Sequence, residues 1–124
     1  MNVAIIGGRE FKNYIKMKKY IEDNLNVSQI DNIVSGGAKG ADSLGRRFAE
    51  EHNIHMIMHL PDWDRYGKSA GFKRNPLIVA DADTVIAFWD GKSKGTKDTI
   101  TLAREAGKFV QVVIYTDANK EDGE

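Results

Sequence analysis

Cysteine is absent from the 124 residues, which excludes disulfides and thiolate metal sites and leaves the fold independent of an oxidising compartment. No excess of charge exists either, because Lys+Arg and Asp+Glu both number 18 and the formal net charge is zero. A dedicated duplex-binding protein draws most of its affinity from neutralised phosphates, so this balance argues against that class and leaves room only for local basic patches. No apolar run approaches the ~20 residues of a membrane span, and residues 1–6, followed by glycines, do not have the pattern of a secretion signal. The expected setting is the cytoplasm, with no membrane partner.

What is present is ordinary globular composition, 41% hydrophobic and 29% charged. One domain is expected over residues 1–116, with a polar, acidic tail at 117–124 that should fray. Area scaling lets such a chain bury roughly two thirds of its unfolded surface. His52, His55 and His59 lie close in sequence, and on a strand over 54–59 His55 and His59 share a face. No H-E-x-x-H pattern accompanies them, so neither a metal nor a required cofactor is expected.

Apolar runs at 3–6, 30–34, 54–59, 84–89 and 109–115 predict strands. Helical spacing links Phe11, Tyr14, Ile15, Met17, Ile21 and Leu25, then Ala41, Leu44, Phe48 and Ala49, then Ile100, Ala103 and Ala106. These predict helices over 11–25, from Ala41 to about His52, and over 96–106, the last with Asp98 in its first turn. Asn53 and Gly107 suit helix ends. Residues 62–71 are expected to form a long functional loop. The helix after it begins either at Asn75-Pro76 or near Ser69 with Pro76 in its first turns.

Strands alternating with helices predict an α/β fold: a single Rossmann-like three-layer domain with a five-stranded, mostly parallel sheet and helices on both faces. In that class ligands bind at the carboxyl edge of the sheet, where every strand-to-helix turn lies. The turns at 7–10, 35–42, 62–69 and 90–96 converge there and hold nearly all the unusual polar residues.

Ser35-Gly36-Gly37-Ala38-Lys39-Gly40-Ala41-Asp42 has a phosphate-cradle layout, because a helix start attracts anions and glycines admit a phosphate close to the backbone. A tight turn also uses glycines for its own geometry. The spacing G-G-x-x-G is not the dinucleotide fingerprint. Gly67-Lys68-Ser69 and Gly91-Lys92-Ser93 fail as P-loops, since Asp62 and Ile86 stand where the upstream glycine belongs. ATPase and GTPase chemistry is therefore rejected.

Ser93-Lys94-Gly95-Thr96 supplies a second glycine turn on the same edge. Arg9, after Gly7-Gly8, can clamp a phosphate or carboxylate bidentately or pair on the surface with Glu10. Asp42 suits either its own helix dipole or a ribose hydroxyl pair. Trp63 and Tyr66 are candidate base-stacking groups, while Trp89 continues an apolar strand and also suits core packing. Lys68, Arg74 and Asn75 are candidate phosphate or sugar contacts, or simply a solvated face.

Taken in order, the Ser35–Asp42 turn, Trp63 with Tyr66-Gly67-Lys68 and Ala70-Gly71, Arg74-Asn75, Ala80-Asp81, Ala87-Phe88-Trp89-Asp90 and Ser93-Lys94-Gly95-Thr96 resemble the YspA/YpsA-related branch of the SLOG superfamily. The likeness spans nearly the whole chain. It implies a Rossmann-like fold that binds nucleotides or nucleotide-derived ligands, within a superfamily that includes ADP-ribose-type sensors, cytokinin-activating phosphoribohydrolases and the single-strand-DNA-binding protein DprA. It also implies a homo-oligomer. The phosphoribohydrolases carry P-G-G-x-G-T-x-x-E with a catalytic glutamate, and Thr99 occupies that place here.

The leading expectation is binding of an ADP-ribose-like molecule or nucleoside phosphate by Gly7, Gly8, Arg9, Ser35, Gly36, Gly37, Lys39, Gly40, Asp42, Trp63, Tyr66, Lys68, Arg74, Asn75, Ser93, Gly95 and Thr96. An alternative is a nucleotide N-glycosidic hydrolase or transferase using Asp42, Asp90 or Asp98. A further alternative is single-stranded DNA binding.

Overall fold

The computed structural model describes residues 1–116 and is organised around β1 (Asn2–Gly7). Val3 and Ile5 point to one side of this strand, Ala4 and Ile6 to the other, and all four are buried, so the strand needs cover on both faces. Around it lie β2 (Asn32–Ser35), β3 (His55–Met58), β4 (Thr84–Trp89) and β5 (Phe109–Ile114), in the spatial order β3-β2-β1-β4-β5. Every pairing is parallel.

Helices α1 (Tyr14–Asn24) and α2 (Ala41–Glu51) cover one face, where Met17, Ile21 and Phe48 pack with Val3, Ile5, Ile33 and Phe88. On the other face, α4 (Ala70–Asp81) and α5 (Lys94–Glu105) bring Ile78, Val79, Ile100 and Ala103 against Ala4, Ile6, Val85 and Ala87. The α/β three-layer expectation is met, with an all-parallel sheet. The chain leaves β1 toward β2 on one side and later returns to β4 on the other. The ends of β1 and β4, where Gly7 pairs with Phe88, therefore open the crevice of a topological switch point.

Several boundaries differ from the periodicity, each for a local reason. The Asn13 side chain accepts the Lys16 N–H and caps α1, so the helix starts at Tyr14 and Phe11 lies before it, stacked on Phe88 at 4.8 Å. A 3₁₀ turn at Val27–Gln29 delays β2 to Asn32. The segment expected as a loop is largely helical. Asp62 caps a short helix α3 (Trp63–Tyr66) by accepting the Arg65 N–H, and a 3₁₀ turn at Gly67–Ser69 runs directly into α4. Its polarity reflects exposure rather than irregular backbone.

Of the two starts for α4, the one near Ser69 is found, with Pro76 inside the helix on an exposed side. Helix α5 begins at Lys94, so Asp98 falls beyond the first turn, where Asn75 bonds it. Asn53 and Gly107 do take positive φ, 53° and 73°. The expected tail at 117–124 lies outside the described residues. No helix among the described residues is long and apolar enough to cross a membrane.

Close backbone approach, rather than turn geometry alone, explains Gly40. Its φ is 74°, and a Cβ there would lie 2.3 Å from the Gly8 carbonyl oxygen. Gly71, early in α4, has open space around it. Gly40→Ala should cost about 2 kcal/mol or more, whereas Gly71→Ala should be neutral or stabilise by up to about 0.5 kcal/mol, as read by urea denaturation. Equal effects at both positions would contradict the packing described.

Candidate functional site

The crevice at the ends of β1 and β4 holds a cavity of about 480 Å³. Small-molecule pockets occupy about 300–1,000 Å³, so the volume suits a ligand of nucleotide size. Its walls come from four places. Gly7, Gly8 and Arg9 leave β1, Ala38 and Asp42 open α2, Trp63, Lys68, Arg74 and Asn75 come from α3 to α4, and Asp90, Ser93, Gly95 and Thr96 join β4 to α5.

The glycine turn at 35–42 holds a carboxyl group of its own. Asp42 is buried, its Oδ2 accepts the Ala38 N–H at 3.0 Å, and the Gly36 N–H also favours the charged carboxylate. The Gly37 N–H donates to Ser35 Oγ at 3.1 Å, and the Ala41 N–H donates to the Gly8 carbonyl at 3.1 Å. The donors of this cradle are thus largely committed inside the protein. Burial pushes the Asp42 carboxyl above the usual range, opposed by those N–H groups and by the charges of Arg74 and Arg9.

Arg74 supplies the charge facing Asp42 and also ties three elements together. Its Nη1 donates to the carbonyls of Gly36 at 2.6 Å and His59 at 3.1 Å, and its Nε donates to Asn75 Oδ1 at 3.2 Å. Desolvation lowers its guanidinium pKa, as does nearby Arg9, while Asp42 works against that shift. Buried Asn75 continues the chain of bonds, donating from Nδ2 to Asp98 Oδ2 at 3.0 Å and to the Gly95 carbonyl at 3.4 Å.

The start of α5 is arranged differently. No side chain caps it, and its first turn carries no acidic residue. Asp90 instead accepts the N–H groups of Lys92 and Ser93, both at 2.8 Å, which lowers its own pKa. The first intrahelical bond runs from the Lys97 N–H to the Ser93 carbonyl, so Lys94, Gly95 and Thr96 carry N–H groups with no partner inside the helix. All three line the cavity. An uncapped helix start of this kind favours an anion.

Of the expected residues, Gly7, Gly8, Arg9, Asp42, Trp63, Lys68, Arg74, Asn75, Ser93, Gly95 and Thr96 line the cavity. Ser35, Gly36, Gly37, Lys39, Gly40 and Tyr66 do not. Gly36 lies beneath Arg74, Gly37 beneath Leu60 and Gly40 against Gly8, so their missing Cβ atoms make room for protein. The Tyr66 ring has Arg65 at 5.1 Å and Lys73 at 5.4 Å. Trp89 packs against the α4–α5 core, and its Nε1–H donates to the Ser93 carbonyl at 3.0 Å.

Residues not anticipated include Phe72, Thr99 and Tyr115. Tyr115 follows the edge strand β5, and the one available signal was Gly8, where any Cβ would strike the tyrosine hydroxyl. His59 pairs with Asp81 and His55 with Asn32, and no group of three or more metal-ligating side chains assembles among the described residues.

A family model described as the YspA, cpYpsA-related SLOG family matches residues 1–66. Over 122 residues the chain is 36% identical to "Gene 61 protein" of Mycobacterium phage D29, an alignment covering 93% of this chain and 96% of the phage protein. No solved structure matches the chain significantly.

Two pH dependences follow from the carboxylates. The folded protein holds a proton on Asp42 more tightly than the unfolded chain does, so that group's contribution is largest at acidic pH and declines as pH rises through its folded value. Asp90 is the reverse, contributing at neutral pH and losing that contribution as pH falls through its depressed value. Denaturation from pH 7 toward pH 3 should show wild type gaining stability relative to Asp42→Asn and losing it relative to Asp90→Asn, slopes of opposite sign. Arg74→Ala should cost about 2–3 kcal/mol by the same measurement, and Arg74→Lys should not restore it, because the bonds to two carbonyls and Asn75 need the guanidinium fork.

Proposed function

Because the chain belongs to the YspA, cpYpsA-related SLOG family, we propose that it binds a nucleotide or nucleotide-derived small molecule in this cleft, with its phosphate on the start of α5. The supporting observation is the contrast between two helix starts on one cavity. That of α2 already holds a carboxylate, and that of α5 is uncapped and free of acidic side chains in its first turn. In this reading the N–H groups of Gly95 and Thr96 receive the phosphate, and exposed Arg9 and Lys68 add positive charge. Trp63, half exposed at the rim, stacks on a base. Asp42 repels phosphate and suits sugar hydroxyls, which favours an ADP-ribose-like or nucleoside phosphate ligand.

One observation favours a second reading, N-glycosidic hydrolysis or transfer. Asp42 is a buried cleft carboxyl with a raised pKa, a property common to general acids. Against it, Thr99 stands where the resembling phosphoribohydrolases carry glutamate. Release of free base from AMP that disappears in Asp42→Asn would support turnover, and release unchanged in that variant would remove Asp42 from the chemistry.

Calorimetry with AMP and ADP-ribose should detect binding, and Arg9→Ala should weaken it about tenfold. Gly95→Ala should also weaken binding without loss of stability, since its Cβ meets nothing in the protein but would stand where the phosphate approaches. Folded protein that binds neither compound at millimolar concentration would contradict the proposal. Affinity that appears only for single-stranded DNA and falls steeply with salt would replace it.

A further inference from the structure

Among the described residues, the edge strand β5 carries no charge, no proline and no bulge, and it is not short. An edge presents unpaired N–H and C=O groups that template pairing with another chain, and proteins blunt it with charge, proline, a bulge or shortness. The opposite edge, β3, is four residues long and begins at an exposed histidine, His55. By contrast β5 is six residues long, pairs with β4 along its whole length without a bulge, and has the sequence Phe-Val-Gln-Val-Val-Ile. Both its ends are open and apolar, with Phe109 60% and Ile114 52% exposed.

The free backbone groups can be assigned. The Phe109 N–H donates to the Asp83 carbonyl at 3.3 Å and the Tyr115 N–H to the Trp89 carbonyl at 3.0 Å. Alternation along the strand then turns the odd-numbered residues toward β4 and leaves the N–H and C=O of Val110, Val112 and Ile114 facing outward. Gln111 sits mid-strand, and its Oε1 is the one buried side-chain polar atom among the described residues with no hydrogen-bond partner.

We propose that β5 pairs antiparallel with β5 of a second copy of this chain, about a two-fold axis at Gln111, joining two sheets into one. In this register Val110 and Val112 of the partner subunit exchange both backbone hydrogen bonds, and symmetry repeats the exchange. The two Gln111 residues form the intervening non-hydrogen-bonded pair, where Cα atoms approach to about 4.5 Å. The terminal amide torsion is soft, so each Oε1 can turn to accept from the Nε2–H of the partner's Gln111. Phe109 meets the partner's Val113 on the same face.

A second copy suits this edge better than a different protein because a two-fold axis sets each strand against itself. A charge at the axis position would meet its like, and uncharged Gln111 stands there in a strand that carries no charge. Antiparallel pairing sends the two carboxyl edges in opposite directions, so each cleft stays complete within its own subunit. This dimer is therefore independent of the ligand proposal.

Sedimentation at roughly 100 µM should show a dimer, and hydrogen exchange should show protected amides at Val110, Val112 and Ile114. Gln111→Glu and Gln111→Lys should each weaken dimerisation about tenfold, and their one-to-one mixture should restore it, because opposite charges then face each other. Phe109→Lys, at an exposed position, should weaken it as well while keeping the fold by circular dichroism. A monomeric wild type overturns the proposal, including one whose β5 amides are protected by another segment. So does a dimer indifferent to all three substitutions, and a mixture no more dimeric than its components overturns the axis at Gln111.

Discussion

Burying Asp42 takes a carboxylate out of water, and the protein offsets that cost with the Ala38 and Gly36 N–H groups on one side and Arg74 on the other. Much of the cleft depends on this arrangement. Arg74 must reach the carbonyls of Gly36 and His59, which docks α4 onto the exits of β2 and β3. Asn75 then carries the connection to Asp98 and the Gly95 carbonyl, fixing where α5 begins. A charge neutralised at one helix start thereby positions a second helix start that has no capping anion.

That division of labour separates two glycine turns that look alike as strings. Around 35–42 the glycines admit protein atoms, namely the Arg74 guanidinium, the Leu60 side chain and the Gly8 carbonyl. At Gly95 a Cβ would meet nothing, and Lys94, Gly95 and Thr96 all line the cavity. Both turns sit at the carboxyl edge because a parallel sheet with helices on both faces places them there.

The fold was legible because both strand and helix periods are strong. Val3 to Ile6 are apolar without interruption, as a doubly covered strand requires, and Met17, Ile21 and Phe48 recur at helical spacing. Segment 62–71 was not legible, since a short exposed helix has no apolar stripe and its polar residues resemble a loop. The cleft's location followed from topology, and most of its expected residues do line it. What could not be deduced was which backbone donors are already used, because a carboxylate four residues beyond Ala38 is equally compatible with a helix-dipole role. Tyr115 was hidden for a similar reason, since its approach to Gly8 is a tertiary contact between distant strands.

The most direct test of this account is the amide spectrum of isotope-labelled protein titrated with AMP. If the phosphate sits on the uncapped helix start, the largest and earliest shifts fall on Gly95 and Thr96, and the amides of Gly37 and Ala38, held by Ser35 and Asp42, move little. Largest shifts at Gly37 and Ala38 with Gly95 and Thr96 unmoved would contradict it.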